Sequence, residues 1–150
     1  MNKFVLAFLF LTTSAYAYEA PLLLPDAHLT PGIVDINATV DKICIPGYTE
    51  LVRYVPSSVK RDVFRTYELN PEEDDYEVDH LISLELGGSN DIKNLWPESY
   101  TTTPYNARDK DALENRLHKL VCDGKITLIQ AQKEIAEDWI KAHQDYIQQH

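Results

Sequence analysis

Positive charge is scarce in this sequence: 14 Lys and Arg stand against 24 Asp and Glu, for a formal net charge of −10 at pH 7. Broad, non-specific affinity for nucleic acid depends on Lys and Arg displacing counterions from phosphates, so it is excluded here and any polyanion-binding function has to be local. Cysteine is scarcer still, with Cys44 and Cys122 alone. Neither belongs to a Cys pair of the kind that holds a structural zinc, which leaves a zinc site the weaker reading of the two residues. Long apolar runs are missing as well. The longest, Phe4–Leu11, falls far short of the roughly 20 residues that span a bilayer, so no membrane anchor is expected.

What the N-terminus does contain is ordered. Lys3 precedes the apolar run, and small and polar residues follow it, ending in Ala15–Tyr16–Ala17. This is the layout of a secretory signal peptide cut after Ala17. Residues 1–17 are expected to be removed on export to the periplasm or medium of a bacterium, leaving one domain, residues 18–150. In an oxidising compartment Cys44 and Cys122 read as a disulfide. It would close most of the domain into one loop, worth roughly 4 kcal/mol in the chain-entropy account.

Residues 18–40 are rich in proline and small residues and read as an extended arm, with a short helix near Ile36. Ile43–Tyr48 reads as a short strand ending in the Pro46–Gly47 turn, and Ser57–Tyr67 as a helix carrying Lys60, Arg61 and Arg65. The acidic run Glu72–Asp75 reads as a solvated turn. From about Tyr105 to Val121, Leu113, Leu117, Leu120 and Val121 recur at helical spacing, with Pro104 before them and Gly124 placed to end the helix in a left-handed turn. Thr127 and Gln130 open a second helix as a capping box, and Leu128, Ala131, Ile135, Trp139, Ala142 and Tyr146 form its apolar stripe.

The chemistry sits between these parts. Tyr76, Val78 and His80 alternate with Glu77 and Asp79, as in a half-buried strand. Gly87–Asn90 marks a turn, and Asn94–Trp96 a return strand stopped by Pro97. Followed by a helix, this is a ββα unit. Where the first strand frays, Asp79 and His80 can turn toward one site: the carboxylate as a hard-oxygen ligand for Mg²⁺, the neutral imidazole as a base that takes a proton from water near neutral pH. A metal ion there would stabilise charge on a phosphate while His80 activates the attacking water. A surface Asp capping a turn and a His packed on a helix are the bland alternative.

The run Asp79-His-Leu-Ile, then Glu85-Leu-Gly-Gly-Ser, then Asn94-Leu-Trp-Pro resembles the HNH (ββα-metal) endonuclease motif over about twenty residues. Cys44-Ile-Pro-Gly-Tyr-Thr upstream, with Lys110-Asp-Ala-Leu-Glu-Asn-Arg-Leu and Val121-Cys-Asp-Gly downstream, is similar to small exported bacterial proteins with an HNH-like centre. The resemblance implies that His80 is the general base, that Asp79 ligates one Mg²⁺ or Mn²⁺ ion, and that Asn94 holds the loop and base in place. The family's third residue, a His on the following helix, has no counterpart between His80 and His118. Asn106 near the helix start is the substitute ligand this implies. Lys110, one turn further on the same face, and Arg108 are the candidate phosphate contacts. Lys93, Arg61 and Arg65 are weaker candidates, more often surface charges. Glu77 reads either as a second carboxylate of the site or as exposed strand charge, Glu85 as facing solvent or stabilising the loop, and Trp96 as a core anchor. His28, His143 and His150 carry no signal.

The expected protein is therefore an α+β domain: a ββα-metal core with an N-terminal arm and two C-terminal helices, pinned by one disulfide. The expected function is metal-dependent hydrolysis of nucleic acid, most simply DNA, outside the cytoplasm. The alternative is a secreted binding module that keeps the HNH scaffold without turnover.

Overall fold

A computed structural model describes residues 22–72 and 74–148. The expected signal peptide lies outside the described residues, as do Glu73 and His150. The described chain is a mixed α+β domain: α1 (Val40–Ile43), α2 (Tyr48–Val52) and α3 (Ser57–Thr66), strand β1 (Tyr76–His80), strand β2 (Leu95–Ser99), then α4 (Ala107–Cys122) and α5 (Leu128–His143). No described helix is long and apolar enough to cross a membrane.

The two long helices form where the apolar spacing placed them. Asn106 caps α4 in a reciprocal box with Asp109, and the Thr127 hydroxyl accepts from the Gln130 backbone N–H at 3.1 Å to open α5; each such cap is worth about 1 kcal/mol. Gly124, at φ +66°, takes the left-handed turn between them. Leu113, Leu117 and Val121 of α4 and Ala131, Ile135 and Trp139 of α5 interlock in one core with Ile43, Leu81, Ile82, Leu86 and Trp96. Each buried Leu or Ile contributes about 2 kcal/mol. α5 is broken at Asp138, where φ is −164° and ψ 89°, and the Asp138 carboxylate recaps the helix by accepting from the Lys141 N–H at 2.9 Å.

β1 and β2 pair antiparallel, with Tyr76 opposite Ser99 and His80 opposite Leu95. β2 runs through Pro97 rather than stopping there. Each strand of a two-stranded sheet is an edge, and a proline whose nitrogen points away from the partner removes no ladder bond. Phe64 of α3 packs with Tyr76 and Val78, while Asp79 of β1 meets Lys110 of α4. The sheet therefore lies between α3 and α4.

The expected strand at Ile43–Tyr48 is absent: Ile43 ends α1 and Tyr48 begins α2, with Gly47 at φ +84° between them. Among the described residues no second strand lies beside this segment to pair with it. Its apolar residues are instead anchored by Ile43 in the core and by the Cys44–Cys122 disulfide, whose Cα atoms are 5.7 Å apart. The expected helix near Ile36 starts only at Val40; Val34 makes an isolated bridge to Gly88.

Candidate functional site

The loop from Leu81 to Asn94 is shaped by one side chain. Asn94 is fully buried. Its Oδ1 accepts from the backbone N–H of Ile82 at 2.9 Å and of Ile33 at 3.3 Å, and its Nδ2 donates to the carbonyls of Ile82 at 3.0 Å and Ser89 at 2.9 Å. Both donor hydrogens and both acceptor positions of the amide are thus in use. A Cβ on Gly88 would lie 1.7 Å from the Ile82 carbonyl oxygen and 2.9 Å from Nδ2 of Asn94, so the chain has to carry glycine there. Asn94 positions this loop without reaching solvent.

His80, the last residue of β1, is 3% exposed, and its Nε2 lies 3.1 Å from Oδ1 of Asn90. Asn90 is itself fixed: Nδ2 donates to the Val52 carbonyl at 2.8 Å and Oδ1 accepts from the Tyr54 N–H at 3.2 Å. The amide orientation follows from those two backbone groups, so Nε2 of His80 is the donor and Nδ1 is its basic nitrogen. Burial pushes the imidazole below its ordinary value of 6.5, opposed by the neighbouring Asp79 carboxylate and the Asn90 hydrogen bond and reinforced by Arg53. His80 is therefore neutral near pH 7. It lines an open pocket of about 290 Å³ with Arg53, Tyr54, Val55, Lys60 and Val78. Arg53 and Lys60 are exposed, and no salt bridge engages either of them among the described residues.

Asp79 faces the other way. Adjacent strand residues alternate between faces, and the Asp79 carboxylate meets Lys110 of α4, with Nζ 2.6 Å from Oδ2. The same Nζ donates to the His80 carbonyl at 2.8 Å and to Oε1 of Glu114. Lys110 is 0% exposed. Burial would lower its pKa, but Asp79, Glu114 and Glu98 raise it well above the lysine value. Burial would likewise raise the Asp79 carboxyl, and the Lys110 ammonium more than offsets this and holds it below its usual value. Glu98, across the sheet, is hydrogen-bonded to Asp79 and pushed up to about 10 by burial, so it keeps its proton. Glu114 is pushed up to about 7, also by burial.

Asn106, the expected second ligand, serves the start of α4: its Oδ1 accepts from the Arg108 N–H at 3.0 Å and its Nδ2 donates to the Thr102 carbonyl at 3.1 Å. With Asp79 paired to an ammonium and Asn106 used as a cap, the two side chains as placed do not fit a divalent cation. The expected Lys110–phosphate contact gives way to the buried ion pairs, because Nζ has no path to solvent. Arg108 is exposed on the first turn of α4 and does not line the His80 pocket. Neither do Lys93, Arg61 or Arg65, and Arg65 pairs with Asp62 at 3.0 Å. Glu77 accepts from the Tyr100 hydroxyl at 2.9 Å, and burial raises its carboxyl. Trp96 is a core residue, 1% exposed.

Sequence reading passed over Arg53, Asn90, Glu98 and Glu114. Only Glu114 carried a usable signal, four residues after Lys110 and hence on the same helix face. His118, weighed from sequence only as too far along the helix to be the family's third residue, lies one turn before Cys122, and its Nε2 is 2.9 Å from the Ile43 carbonyl and 3.4 Å from Cys122 Sγ. Cys44, His118 and Cys122 cluster closely enough to suggest a metal group, but the two sulfurs are bonded to each other and offer no thiolate. No family model matches the chain, and neither a curated protein nor a solved structure is similar to it.

Proposed function

We propose that this chain hydrolyses phosphodiester bonds of nucleic acid, most simply DNA, as an HNH-like ββα nuclease with His80 as its general base, acting outside the cytoplasm. One observation carries the reading: a neutral, buried imidazole, locked through Nε2 on Asn90, opens onto a pocket that also presents two cations without salt-bridge partners among the described residues. The order β1, loop, β2, α4 supports the ββα assignment, and the disulfide suits an oxidising compartment.

In this mechanism Arg53 and Lys60 bind the phosphate, Arg53 with a guanidinium fork that matches two phosphate oxygens. Nδ1 of His80 takes a proton from a water molecule as its oxygen bonds to phosphorus. The P–O bond to the departing sugar oxygen breaks, and that oxygen takes a proton from solvent. The two cations stabilise the charge that grows on the phosphoryl oxygens. Their placement also answers the acidic composition: phosphate affinity is concentrated in one pocket of a protein whose overall charge opposes it.

The Asp79–Lys110 pair favours a second reading, a module that binds nucleic acid in the same pocket without turnover, because the carboxylate expected to hold a metal is already neutralised. Plasmid, single-stranded DNA and RNA incubated with the protein, with Mg²⁺, Mn²⁺ or EDTA, separate the two when cleavage and fluorescence-polarisation binding are read together. Cleavage supports the nuclease, binding without cleavage supports the module, and neither outcome on any substrate overturns both.

A further inference from the structure

An ammonium has three hydrogens to donate, and Nζ of Lys110 meets three oxygens: Oδ2 of Asp79 at 2.6 Å, the carbonyl of His80 at 2.8 Å and Oε1 of Glu114. These come from the penultimate residue of β1, from the backbone of the proposed base, and from the second turn of α4. Glu98 closes the group with a hydrogen bond to Asp79, and Ser83 supports Glu114. All-oxygen donor sets of this kind, with two carboxylates and a carbonyl, are what hard divalent cations take. Here the centre of the set is filled by the chain's own side chain, and Lys110 is fully buried.

We propose that the tethered ammonium of Lys110 takes the place of a resident divalent cation beside His80, so that the oxygen cage of Asp79, the His80 carbonyl and Glu114 carries a permanent positive charge. For its catalytic meaning this rests on the nuclease reading; as a statement about cation binding it stands alone. A buried Lys paired to two carboxylates resists both chelators and exchange, because losing either partner would leave an uncompensated buried charge. A divalent ion entering the cage would have to displace the ammonium from both carboxylates and from the His80 carbonyl. The ammonium also fixes the backbone of His80 through the carbonyl bond, tying the base to α4.

The geometry makes the cage latent for metal. Removing the lysine by Lys110→Ala leaves two carboxyl groups and a carbonyl around a vacated position, with Glu98 adjacent. Mn²⁺ titration followed by electron paramagnetic resonance, together with thermal melts in Mg²⁺ or Mn²⁺, reads this directly and needs no nuclease activity. Wild-type protein is expected to bind no Mn²⁺ that Asp79→Asn removes, and its melting temperature should not respond to the metal. Lys110→Ala is expected to gain one Mn²⁺ site, and its melting temperature should rise by roughly 5–10 °C at a metal concentration 100 times the dissociation constant. The double variant Lys110→Ala, Asp79→Asn should lose both effects. One Mn²⁺ bound to wild type and lost in Asp79→Asn overturns the proposal, and that arm holds whether or not Lys110→Ala folds. A folded Lys110→Ala that gains no site also overturns the cage assignment. If the protein cleaves nucleic acid, cleavage by wild type is expected to persist in EDTA. If it cleaves nothing, the binding arms still decide the point.

Discussion

Asp79 and Glu98 lie diagonally across the two-stranded sheet, two carboxyl groups in hydrogen-bond contact, and only one of them is ionised. Lys110 settles which one: its ammonium holds Asp79 charged, while burial beside that charge keeps the proton on Glu98. The pair shares a single proton much as two crowded carboxyls must. It anchors β2 to the face of the sheet opposite the His80 pocket.

This arrangement sets a pH dependence on stability. The folded Glu98 value is raised from 4.5 to about 10. Below 4.5 both folded and unfolded chains hold the proton and Glu98 imposes no penalty. Above it the unfolded chain releases the proton and the folded chain does not, so stability falls as pH rises toward 10, by about 1.4 kcal/mol per pH unit for one proton. Glu98→Gln keeps a donor for Asp79 and cannot titrate. Denaturant unfolding from pH 5 to 9 should show the variant gaining steadily on wild type; parallel stability profiles would contradict the protonated Glu98.

The base has its own pH signature. Burial lowers His80 below 6.5, and in the proposed mechanism the deprotonated form is the active one. If the chain cleaves nucleic acid as proposed, the acid limb of kcat/KM against pH should rise to a plateau with its midpoint below 6.5, leaving activity at its full value by pH 7. A midpoint at or above 6.5 would show that the imidazole is not the buried, cation-flanked group described.

Arg53 and Lys60 are assigned to phosphate. Arg53→Ala and Lys60→Ala should each lower kcat/KM by about 10-fold, or about 1.4 kcal/mol, with part of the loss in kcat because both cations are proposed to stabilise the charge that grows on the phosphoryl oxygens. Arg61→Ala and Arg65→Ala are the controls, since neither side chain lines the pocket. Equal effects from all four would mean a diffuse electrostatic field rather than a local site.

The Cys44–Cys122 bridge closes a separation of 78 residues. Reduction, or Cys44→Ser with Cys122→Ser, should cost roughly 4 kcal/mol in unfolding free energy. Thermal melts with and without reductant measure this, and an unchanged transition would leave the bridge no structural role. His118 lies between Cys122 and the Ile43 carbonyl, so loosening is expected first around α1.

Much of this was legible in the sequence, for local reasons. α4 and α5 follow from apolar spacing and caps, which act within a few residues. Asn94 was pointed to by the motif resemblance, which implies that it holds the loop, and Gly88 by its place in a glycine-marked turn. The Ile43–Tyr48 segment was not, because an isolated apolar stretch becomes a strand only when a partner lies beside it. Arg53, Asn90 and Glu98 were hidden for a different reason. Their roles exist only once α2, the loop and β2 converge on His80 and Asp79, and nothing in their own neighbourhoods marks them. The assignment of Asn106 to a metal failed to anticipate that a helix N-cap already uses both ends of the amide. Lys110 read as a phosphate contact one turn beyond Asn106; that it is fully buried depends on Asp79 and Glu114 reaching the same point.

The central claim is that Nδ1 of His80 activates water in the Arg53–Lys60 pocket. The most direct measurement is the single-turnover cleavage rate of wild type against His80→Ala on whichever nucleic acid is cut, with circular dichroism establishing that both are folded. A loss of about 10²-fold or more is expected, the scale of a general base. Equal rates from the two folded proteins would contradict it.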